Sequence, residues 1–382
     1  MTATAPPAPW WSTFVALKQD RFFWALALTL AALTALQPQQ IASYPSLVDW
    51  PTIAALTGLL ALTQALESSG ALARLGRWLV AHVSNERVAA LGLVSAAALL
   101  STLLTNDVAL FVVVPLTLGL CRITPLPATR LIVFEALAVN AGSALTPIGN
   151  PQNLFLWQLS KVSFAEFSVH MAPLVAVLFV LLLALTALVF RSTPLNATNR
   201  EDPPALDRPL LWVALALYGP FLWVTDRSDA GWGCAAVVGV TLLLRPRVLA
   251  RVDWGLLLLF VLMFIDLRLI AGLDAVRSAM GSLGLAEPRQ LYAVGIAASQ
   301  LVSNVPATIA LAEYSCNWRV MAYAVNVGGF GIAIGSLANL IALRMVPDAR
   351  AWLSFHLYAV PCLLVAAAVG YGLLFVAHLA GP

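Results

Sequence analysis

The chain has 382 residues, of which 61% are hydrophobic and only 10% charged, and its mean hydropathy is +0.88. Soluble globular domains average about 25% charged residues, so this composition excludes an ordinary soluble domain and indicates a polytopic membrane protein. The net charge of +3 does not indicate nucleic-acid binding, because the Arg residues lie in short loops between apolar segments.

The cysteines and histidines give no sign of a metal or redox site. The four Cys residues are far apart, no CxxC motif or Cys/His cluster occurs, and the zinc-protease motif HExxH is absent. We therefore predict no disulfide framework, no metal centre and no cofactor. Residues 1–21 lack a cleavable signal pattern and predict a cytoplasmic tail. The glycosylation sequon at Asn196 falls on the same predicted side, where it is not expected to be used.

Along the chain, apolar segments recur with the length that crosses a bilayer, roughly 20 residues. Residues 67–87 instead carry several charges and predict an interfacial amphipathic helix. The fold class predicted from this pattern is all-α. Single spans are predicted at about 22–40, 48–66, 169–190, 209–224, 230–244, 254–270 and 354–377.

Two longer apolar stretches, about 88–120 and 290–318, each carry a polar tripeptide near the middle. The tripeptides are Thr105-Asn106-Asp107 and Ser303-Asn304-Val305. Each stretch is too long for one span, and its two arms are rather short for two spans. We predict two re-entrant hairpins whose polar tips lie near the middle of the membrane.

Two further segments, about 131–160 and 320–343, are interrupted by polar and helix-breaking residues. Asn140 to Leu154 reads NAGSALTPIGNPQNL, and Asn326 to Leu340 reads NVGGFGIAIGSLANL. A helix broken inside the membrane is tolerated where it lines a protein cavity, and transporters use such breaks to bind their substrates. At an offset of 186 the two sequences align without gaps. This alignment pairs Asn140 with Asn326, Gly142 with Gly328, Gly149 with Gly335, Asn153 with Asn339 and Leu154 with Leu340.

The positive charges predict the topology. With the N-terminus inside and each hairpin returning to its own side, fifteen Lys and Arg residues fall inside and five fall outside, as the positive-inside rule requires. Drawing either hairpin as one full span reverses everything after it and weakens this bias. The five outside residues are Lys161, Arg227, Arg277, Arg289 and Arg319.

An inverted repeat follows from this drawing. The motifs Val48-Asp49-Trp50 and Val252-Asp253-Trp254 open two units of the same order, namely span, hairpin, broken helix and span, which start on opposite sides. The predicted domains are a cytoplasmic tail with the first span (1–47), repeat 1 (48–190), a cytoplasmic loop with two connecting helices (191–251) and repeat 2 (252–382).

The repeat brings two hairpin tips and two helix breaks together, which predicts one substrate and ion site. Helix N-termini attract anions and C-terminal carbonyl ends attract cations, while Asn side chains offer both donors and acceptors. Pro151 and Pro306 are expected in the first turns of restarted helices. A Na⁺ site is predicted at Asn106, Asp107 and Asn304. The predicted binding residues are Thr105, Asn106, Asp107, Asn140, Ser143, Thr146, Gly149, Asn150, Asn153, Ser303, Asn304, Asn326, Gly335, Ser336 and Asn339.

Asp107 has two interpretations. It is either the N-cap of the second hairpin arm or a cation ligand and proton carrier, and the cost of placing a carboxylate in the membrane favours the second. The functions of Glu67, Glu135, Asp266 and Arg268 stay open, although Asp266 and Arg268 are expected near the outer end of a span.

These motifs carry a resemblance. The two tips are similar to the Ser-Asn-Thr hairpin tips of divalent anion/sodium symporters, and Thr146 to Asn153 (TPIGNPQN) resembles the break that follows them. Residues 48–377 resemble the ion transporter superfamily of citrate transporters, arsenite permeases and sodium/proton antiporters, and especially its short YbiR-type inner-membrane permeases. Asp107 and Val305 depart from the family tips, and the Asn106-Asp107 pair is closer to the arsenite permease tip. The resemblance implies a scaffold, an elevator-type transport domain and a homodimer.

The function predicted is a secondary active transporter of the bacterial inner membrane that moves a small inorganic or organic anion with Na⁺ or H⁺ as coupling ion. Its predicted partners are this anion and the lipid bilayer. A sodium/proton antiporter is the alternative. A channel or an intramembrane enzyme are remote alternatives, because a channel needs no inverted repeat and no His is placed by a motif to activate Ser336.

Overall fold

The structure is a computed structural model that describes residues 20–81, 84–195, 205–346, 348 and 350–377. The predicted tail up to residue 19 and the sequon at Asn196 lie outside these ranges. The described residues form helices, with one isolated bridge between Asn85 and Pro194. The all-α prediction is therefore confirmed for this part of the chain.

The helices are numbered in chain order. The first ten are α1 (Arg21–Leu36), α2 (Tyr44–Leu47), α3 (Trp50–Ser68), α4 (Ala71–Ala81), α5 (Glu86–Leu103), α6 (Asn106–Ile123), α7 (Ala128–Ser143), α8 (Pro151–Ser160), α9 (Phe164–Val189) and α10 (Arg208–Asp226). The others are α11 (Ala230–Leu244), α12 (Pro246–Leu249), α13 (Trp254–Ala271), α14 (Asp274–Ser282), α15 (Pro288–Val302), α16 (Asn304–Ala312), α17 (Trp318–Val327), α18 (Leu337–Met345) and α19 (Ala351–Tyr371).

Five of the described helices are long and apolar enough to cross a membrane, namely α5, α9, α10, α13 and α19 with its continuation to Val376. The predicted first span is shorter than expected: α1 ends at Leu36 and the chain bends by 119° into the 3₁₀ helix Pro38–Ser43. The predicted amphipathic helix is also shorter. It covers only α4, because α3 continues to Ser68 and α5 begins at Glu86.

The chain folds into two compact units, and each is described here by itself. Unit 1 takes its described residues from 1–69 and 207–279, and unit 2 takes them from 70–206 and 280–382. Each unit therefore contains segments of both predicted repeats. Unit 1 holds the opening helix of each repeat, whereas unit 2 holds both hairpins and both broken helices.

In unit 1, the repeated Val-Asp-Trp motif has a local structural role. Asp49 and Asp253 are the N-caps of α3 and α13, and they accept hydrogen bonds from the backbone N–H groups three residues later at 2.9 and 3.0 Å. The indoles of Trp50 and Trp254 donate to the carbonyls of the residues five positions earlier, at 2.8 and 3.0 Å. The motif thus fixes the start of equivalent helices by capping.

Asp266 and Arg268 lie in the last two turns of α13, in unit 1. Asp266 is 1% exposed. Arg268 donates to the carbonyl oxygen of Leu47 at 2.6 Å and lies over the ring of Phe264. The guanidinium therefore ties the end of α13 to the end of α2.

In unit 2, α7 is the central helix. Its residues 131–143 are buried on every face, and it packs against α5, α6, α9, α18 and α19. The polar tripeptides lie where α5 meets α6 and where α15 meets α16, and the two helices of each pair pack against each other. The first arm is not short, since α5 alone is long enough to cross a membrane.

Candidate functional site

The first break separates α7 from α8. The helix ends at Ser143, and Pro151 is the first residue of α8, as the sequence predicted. Asn150 caps α8, because its Oδ1 accepts a hydrogen bond from the backbone N–H of Asn153 at 2.9 Å. Proline fits the first helical position because its missing N–H would have no helical partner there.

The second break separates α17 from α18 and contains a 3₁₀ turn over Ala333–Gly335. Gln300 of α15 holds this break. Its Nε2 donates to the carbonyl of Gly328 at 2.6 Å, and its Oε1 accepts from the N–H of Ile332 at 3.0 Å. Sequence reasoning missed Gln300, although a Gln three residues before a polar tip inside an apolar stretch was the available signal.

The two breaks are hydrogen-bonded to each other through four asparagines. Asn140 Nδ2 donates to Asn339 Oδ1 at 2.7 Å, and Asn326 Nδ2 donates to Asn153 Oδ1 at 2.7 Å. The offset of 186 pairs Asn140 with Asn326 and Asn153 with Asn339. When each residue of one bond is replaced by its counterpart, the result is therefore the other bond. All four residues are buried.

The side-chain amides of Asn153 and Asn339 also satisfy the backbone at the ends of α7 and α17. Asn153 Nδ2 donates to the carbonyls of Ser143, Ala144 and Thr146 at 3.4, 3.2 and 3.2 Å. Asn339 Nδ2 donates to the carbonyl of Gly329 at 2.9 Å, and Gly329 is the counterpart of Ser143 at the offset of 186. Buried carbonyls left by an interrupted helix need such donors.

One pair of counterparts departs from this symmetry. Asn150 Nδ2 donates to the carbonyl and the hydroxyl of Ser143, both at 3.2 Å, and to Asn326 Oδ1 at 2.9 Å. At the offset of 186 its counterpart is Ser336, whose shorter hydroxyl is buried and has no partner among the described residues. The polar side chain at this position is therefore used to hold the first break together, whereas in the second break the Ser336 hydroxyl has no such role.

The first hairpin tip corrects one interpretation of Asp107. The N-cap position of α6 is occupied by Thr105, and Asp107 lies in the first turn, so Asp107 is not the cap. The N–H of Asn106 donates to the carbonyl of Gly149 at 2.8 Å, which joins this tip to the first break. Asn106 Oδ1 in turn accepts from the N–H of Asp107 at 3.0 Å.

The second tip has a strained backbone. Ser303 adopts φ +76°, a left-handed value that is uncommon for a residue with a side chain and recurs at ligand-binding sites. Pro306 lies in the first turn of α16, as predicted. Asn304 Nδ2 and Asn140 Oδ1 both approach Gly329, where an added Cβ would lie 3.3 and 3.4 Å from them.

Close backbone packing brings the first hairpin to the break. A Cβ on Gly142 would overlap the carbonyl oxygen of Ala98, and one on Gly149 would overlap that of Ser143. Thr102 donates to the carbonyl of Gly142 at 3.0 Å, and Thr146 donates to the carbonyl of Thr102 at 2.7 Å. These contacts require glycine, because any side chain would separate α5 from α7.

Four helices begin at the tips and breaks, namely α6, α8, α16 and α18. The second arm of each hairpin packs on the restarted helix of the other break, α6 on α18 and α16 on α8. The N-cap side chains of Thr105, Ser303 and Ser336 make no capping bond, and the hydroxyls of Thr105 and Ser336 are buried without a partner among the described residues. These two hydroxyls are therefore polar groups that the described part of the chain does not use.

The structure brings all fifteen predicted binding residues into unit 2. Ten of them lie in the two breaks or beside them, and five lie at the tips. Gly335 packs closely against the backbone at the start of the second break, because an added Cβ would lie 2.7 Å from the carbonyl oxygen of Gly328. Within the described ranges no group of three or more His, Cys, Asp and Glu residues has the geometry to hold a metal ion.

The citrate transporter family profile matches residues 14–317, which is most of the chain. The chain belongs to the citrate transporter family. This family member is 47% identical to the inner membrane protein YbiR of Escherichia coli over 361 residues, which cover 94% of this chain and 97% of YbiR.

Other relatives of this citrate transporter family member are transporters by name. A transporter of Methanocaldococcus jannaschii is 32% identical over 345 residues, covering 86% of this chain and 90% of that protein. The silicon efflux transporter LSI3 of rice is 33% identical over 126 residues, which cover 33% of this chain and 26% of LSI3.

A solved structure shares the fold. The YdaH transporter of Alcanivorax borkumensis matches with a TM-score of 0.57 over 94% of this chain and 99% of that chain, at 17% identity. At this identity the match concerns the fold alone. The family member is thus a membrane-embedded, all-helical protein with a transporter fold.

Proposed function

We propose that this protein is a secondary active transporter that moves a small inorganic or organic anion across the inner membrane by alternating access, coupled to Na⁺ or H⁺. The family profile and the relatives support transport as the activity. The proposal adds the class of substrate, the coupling and the mechanism.

The anion is proposed from the helix starts in unit 2. A helix N-terminus carries a partial positive charge and unused N–H groups, so it binds anions. Here α6 and α18 pack against each other, and the N-cap hydroxyls of these helices, Thr105 and Ser336, have no partner among the described residues. A buried hydroxyl without a partner costs free energy, and an anionic oxygen at this position would remove that cost. The Ser336 hydroxyl is the single observation that carries this part of the proposal.

Alternating access is proposed from the internal symmetry. The Asn140–Asn339 and Asn326–Asn153 bonds correspond to each other, as is expected of two repeats related by a twofold axis. Inverted repeats of this kind underlie rocking and elevator transporters. We assign unit 2 to the moving transport domain and unit 1 to the scaffold, because both tips and both breaks belong to unit 2.

A sodium/proton antiporter is the second candidate, and Asp107 favours it. A carboxylate in the first turn of α6 offsets the attraction of that helix start for an anion and offers oxygen ligands to a cation. In this alternative Asp107 binds Na⁺ and H⁺ in turn, with Asn106 and Asn304 as neighbours in the two first turns.

The test is binding and counterflow with purified protein. A thermal-shift screen would compare citrate, phosphate, sulfate, arsenite and silicic acid with and without Na⁺, because a ligand raises the melting temperature of what it binds. The partial similarity to a silicon efflux transporter places silicic acid among the probes. Compounds that stabilise the protein are then tested for counterflow in proteoliposomes.

The variant S336A, with S168A as matched control, ties the result to the site. Ser168 donates to the carbonyl of Phe164 within α9, away from both breaks. Loss of one hydrogen bond to a charged ligand weakens binding by about ten- to a hundredfold, so S336A should bind the anion this much more weakly while S168A should not. Equal affinities in both variants would contradict the assignment, and Na⁺/H⁺ exchange without any anion would favour the antiporter.

A further inference from the structure

Glu135 is a fully buried carboxyl group in the middle of α7, and the site described above does not use it. Its exposed fraction is 0%, and its Oε1 accepts a short hydrogen bond from the hydroxyl of Thr117 on α6. Its Oε2 has no hydrogen-bond partner among the described residues. A carboxyl inside a membrane protein that lacks a compensating charge is costly and marks an ion or proton pathway more often than a structural role.

No charged side chain that the structure describes compensates Glu135. Thr117 is its hydrogen-bond partner, and Cys121, one turn further along α6, is close enough for an electrostatic interaction. Arg130, on the same helix, lies over the ring of Phe190. The other titratable groups on the helices packed against α7 are Glu86 and Arg87 of α5, Asp107 of α6, Glu166 and His170 of α9, Arg344 of α18, and His356, Tyr358, Cys362 and Tyr371 of α19.

The Glu135 carboxyl lies between α6 and α7, two helices that contact the restarted helix of the second break. Helices α6 and α7, which the Thr117–Glu135 bond joins, both pack against α18, the restarted helix of the second break. Glu135 is also five residues before Asn140, which is about 7.5 Å along the helix axis. A change in its charge therefore acts on the same helix that carries the Asn140–Asn339 bond.

The carbonyl ends that would otherwise attract a metal cation are satisfied by the chain itself. The carbonyls of Ser143, Ala144 and Thr146 accept from Asn153, and that of Gly328 accepts from Gln300. An amide N–H group in this position offsets part of the negative charge through which the C-terminal carbonyls of a broken helix bind a cation. This leaves a titrating carboxyl as the more economical way to take up a positive charge.

We propose that Glu135 is the binding site of the coupling proton, an inference that rests on the proposed transport function. In one state Glu135 is a carboxylate that accepts from Thr117. In the other it has taken one proton from water on one side of the membrane and is a neutral acid, which removes the cost of its burial. Release of the proton to water on the opposite side, after the transport domain has moved, completes the cycle without any other reactant.

The first test needs no substrate. Infrared spectra of the protein in lipid are recorded as a function of pH for the wild type and E135Q, and their difference isolates the Glu135 carboxyl. The band of a protonated acid should convert into carboxylate bands as the pH rises. D266N is the matched control, because both carboxyl oxygens of Asp266, in unit 1, are buried without a partner among the described residues. The difference between D266N and the double variant D266N/E135Q should show the same change with pH. A difference spectrum that does not change over the whole pH range in which the protein stays folded would overturn the proposal.

The second test measures coupling in proteoliposomes with the anions citrate, phosphate and sulfate as probes. For one coupled proton, a pH difference of one unit supports about tenfold accumulation, so E135Q should lose this accumulation and keep counterflow at equal pH. E166Q is the matched control, because Glu166 is a half-exposed carboxylate paired with Arg319. T117S should keep the wild-type pH profile, whereas T117V should change it.

The outcomes separate the two proposals. Accumulation that follows a Na⁺ gradient and is unchanged in E135Q would overturn the role of Glu135 and leave transport intact, and loss of this Na⁺ dependence in D107N would move the coupling site to Asp107. If the wild type moves none of the probes, the proposed substrate class fails, and the infrared titration still decides whether Glu135 exchanges its proton with water.

Discussion

Asn140 of the first break donates its side-chain amide to Oδ1 of Asn339 in the second break at 2.7 Å. The same bond recurs, with the repeats exchanged, between Asn326 and Asn153. These two bonds are buried and connect parts of the chain that lie 199 and 173 residues apart. They hold the two broken helices in register, so the geometry of the candidate site depends on them.

The two asparagines of each bond should be energetically coupled. We expect N153A and N339A each to abolish transport while the protein still folds and inserts, because each leaves buried donors or acceptors unsatisfied at a cost of about 1–3 kcal/mol. In double-mutant cycles on unfolding in detergent, N153A with N326A and N140A with N339A should show coupling energies of about 0.5–3 kcal/mol. Purely additive effects in both pairs would mean that these bonds do not form, and full activity in N153A and N339A would move the site elsewhere.

An asparagine at position 336 should make the hydrogen bond that its counterpart Asn150 makes in the first break. Asn150 donates to Oδ1 of Asn326, and the counterparts of these residues are Ser336 and Asn140. We expect S336N to donate to Asn140 in the same way, so that the protein unfolds at an equal or higher temperature but loses anion binding. Counterflow and thermal melts measure the two effects. Wild-type counterflow in S336N would show that the Ser336 position is not part of the binding site.

Gly142 should tolerate no side chain. G142A places a methyl group against the carbonyl oxygen of Ala98, so α5 and α7 must separate, and overpacking of this kind costs about 1–3 kcal/mol. G119A is the matched control. Apart from the backbone of its own helix, no described atom lies within 4 Å of its added Cβ, and alanine favours a helix over glycine by about 1 kcal/mol. We expect the unfolding midpoint to fall in G142A and to stay or rise in G119A. Equal midpoints would contradict the close approach of the hairpin to the break.

Asp348, which precedes α19, should stabilise the fold in a pH-dependent way. Hydrogen bonds from the N–H of Arg350 and the hydroxyl of Thr129, both at 2.8 Å, lower the pKa of its carboxyl. A lowered folded-state pKa gives stability that is present above the unfolded pKa, about 3.9, and is lost as the pH falls through the folded value. The difference in melting temperature between the wild type and D348A should therefore be constant above about pH 5 and shrink below it. A difference that grows on acidification would be the opposite of this prediction.

The inverted topology can be tested by labelling. In a variant without the four native cysteines, P125C should react with an impermeant maleimide from the cytoplasmic side and S282C from the outside. R200C, in the predicted cytoplasmic loop, serves as the inside reference. Labelling of P125C and S282C from the same side would rule out the inverted repeat. Position 125 follows the hairpin that is predicted to open from the cytoplasm, whereas position 282 precedes the hairpin that is predicted to open from the outside.

The sequence by itself determined the local elements of this fold. Polar tripeptides inside apolar stretches predicted both hairpins, and Gly, Pro and Asn clusters predicted both breaks, because an interruption in hydrocarbon is visible as a local cost. The restart at Pro151 and the helices opened by Val-Asp-Trp follow from first-turn and capping rules that act over three or four residues. The predicted ends of α1 and α4 were the least accurate. The bend after Leu36 coincides with Gln37-Pro38-Gln39-Gln40, a helix-ending signal that the predicted span of 22–40 passed over.

Only the tertiary structure decided which polar groups meet. The partners of Asn153, the hold of Gln300 on the second break and the contact of Glu135 with Thr117 depend on helices brought together from distant parts of the chain. Composition shows that an asparagine in the membrane needs partners, but a ligand and a backbone carbonyl satisfy it equally well. The sequence therefore predicted the polar residues of the site. Packing decided that Asn153 and Asn339 bind the chain itself and that Ser336 has no partner in the part of the chain that the structure describes, because hydrogen bonding depends on distances that no local pattern fixes.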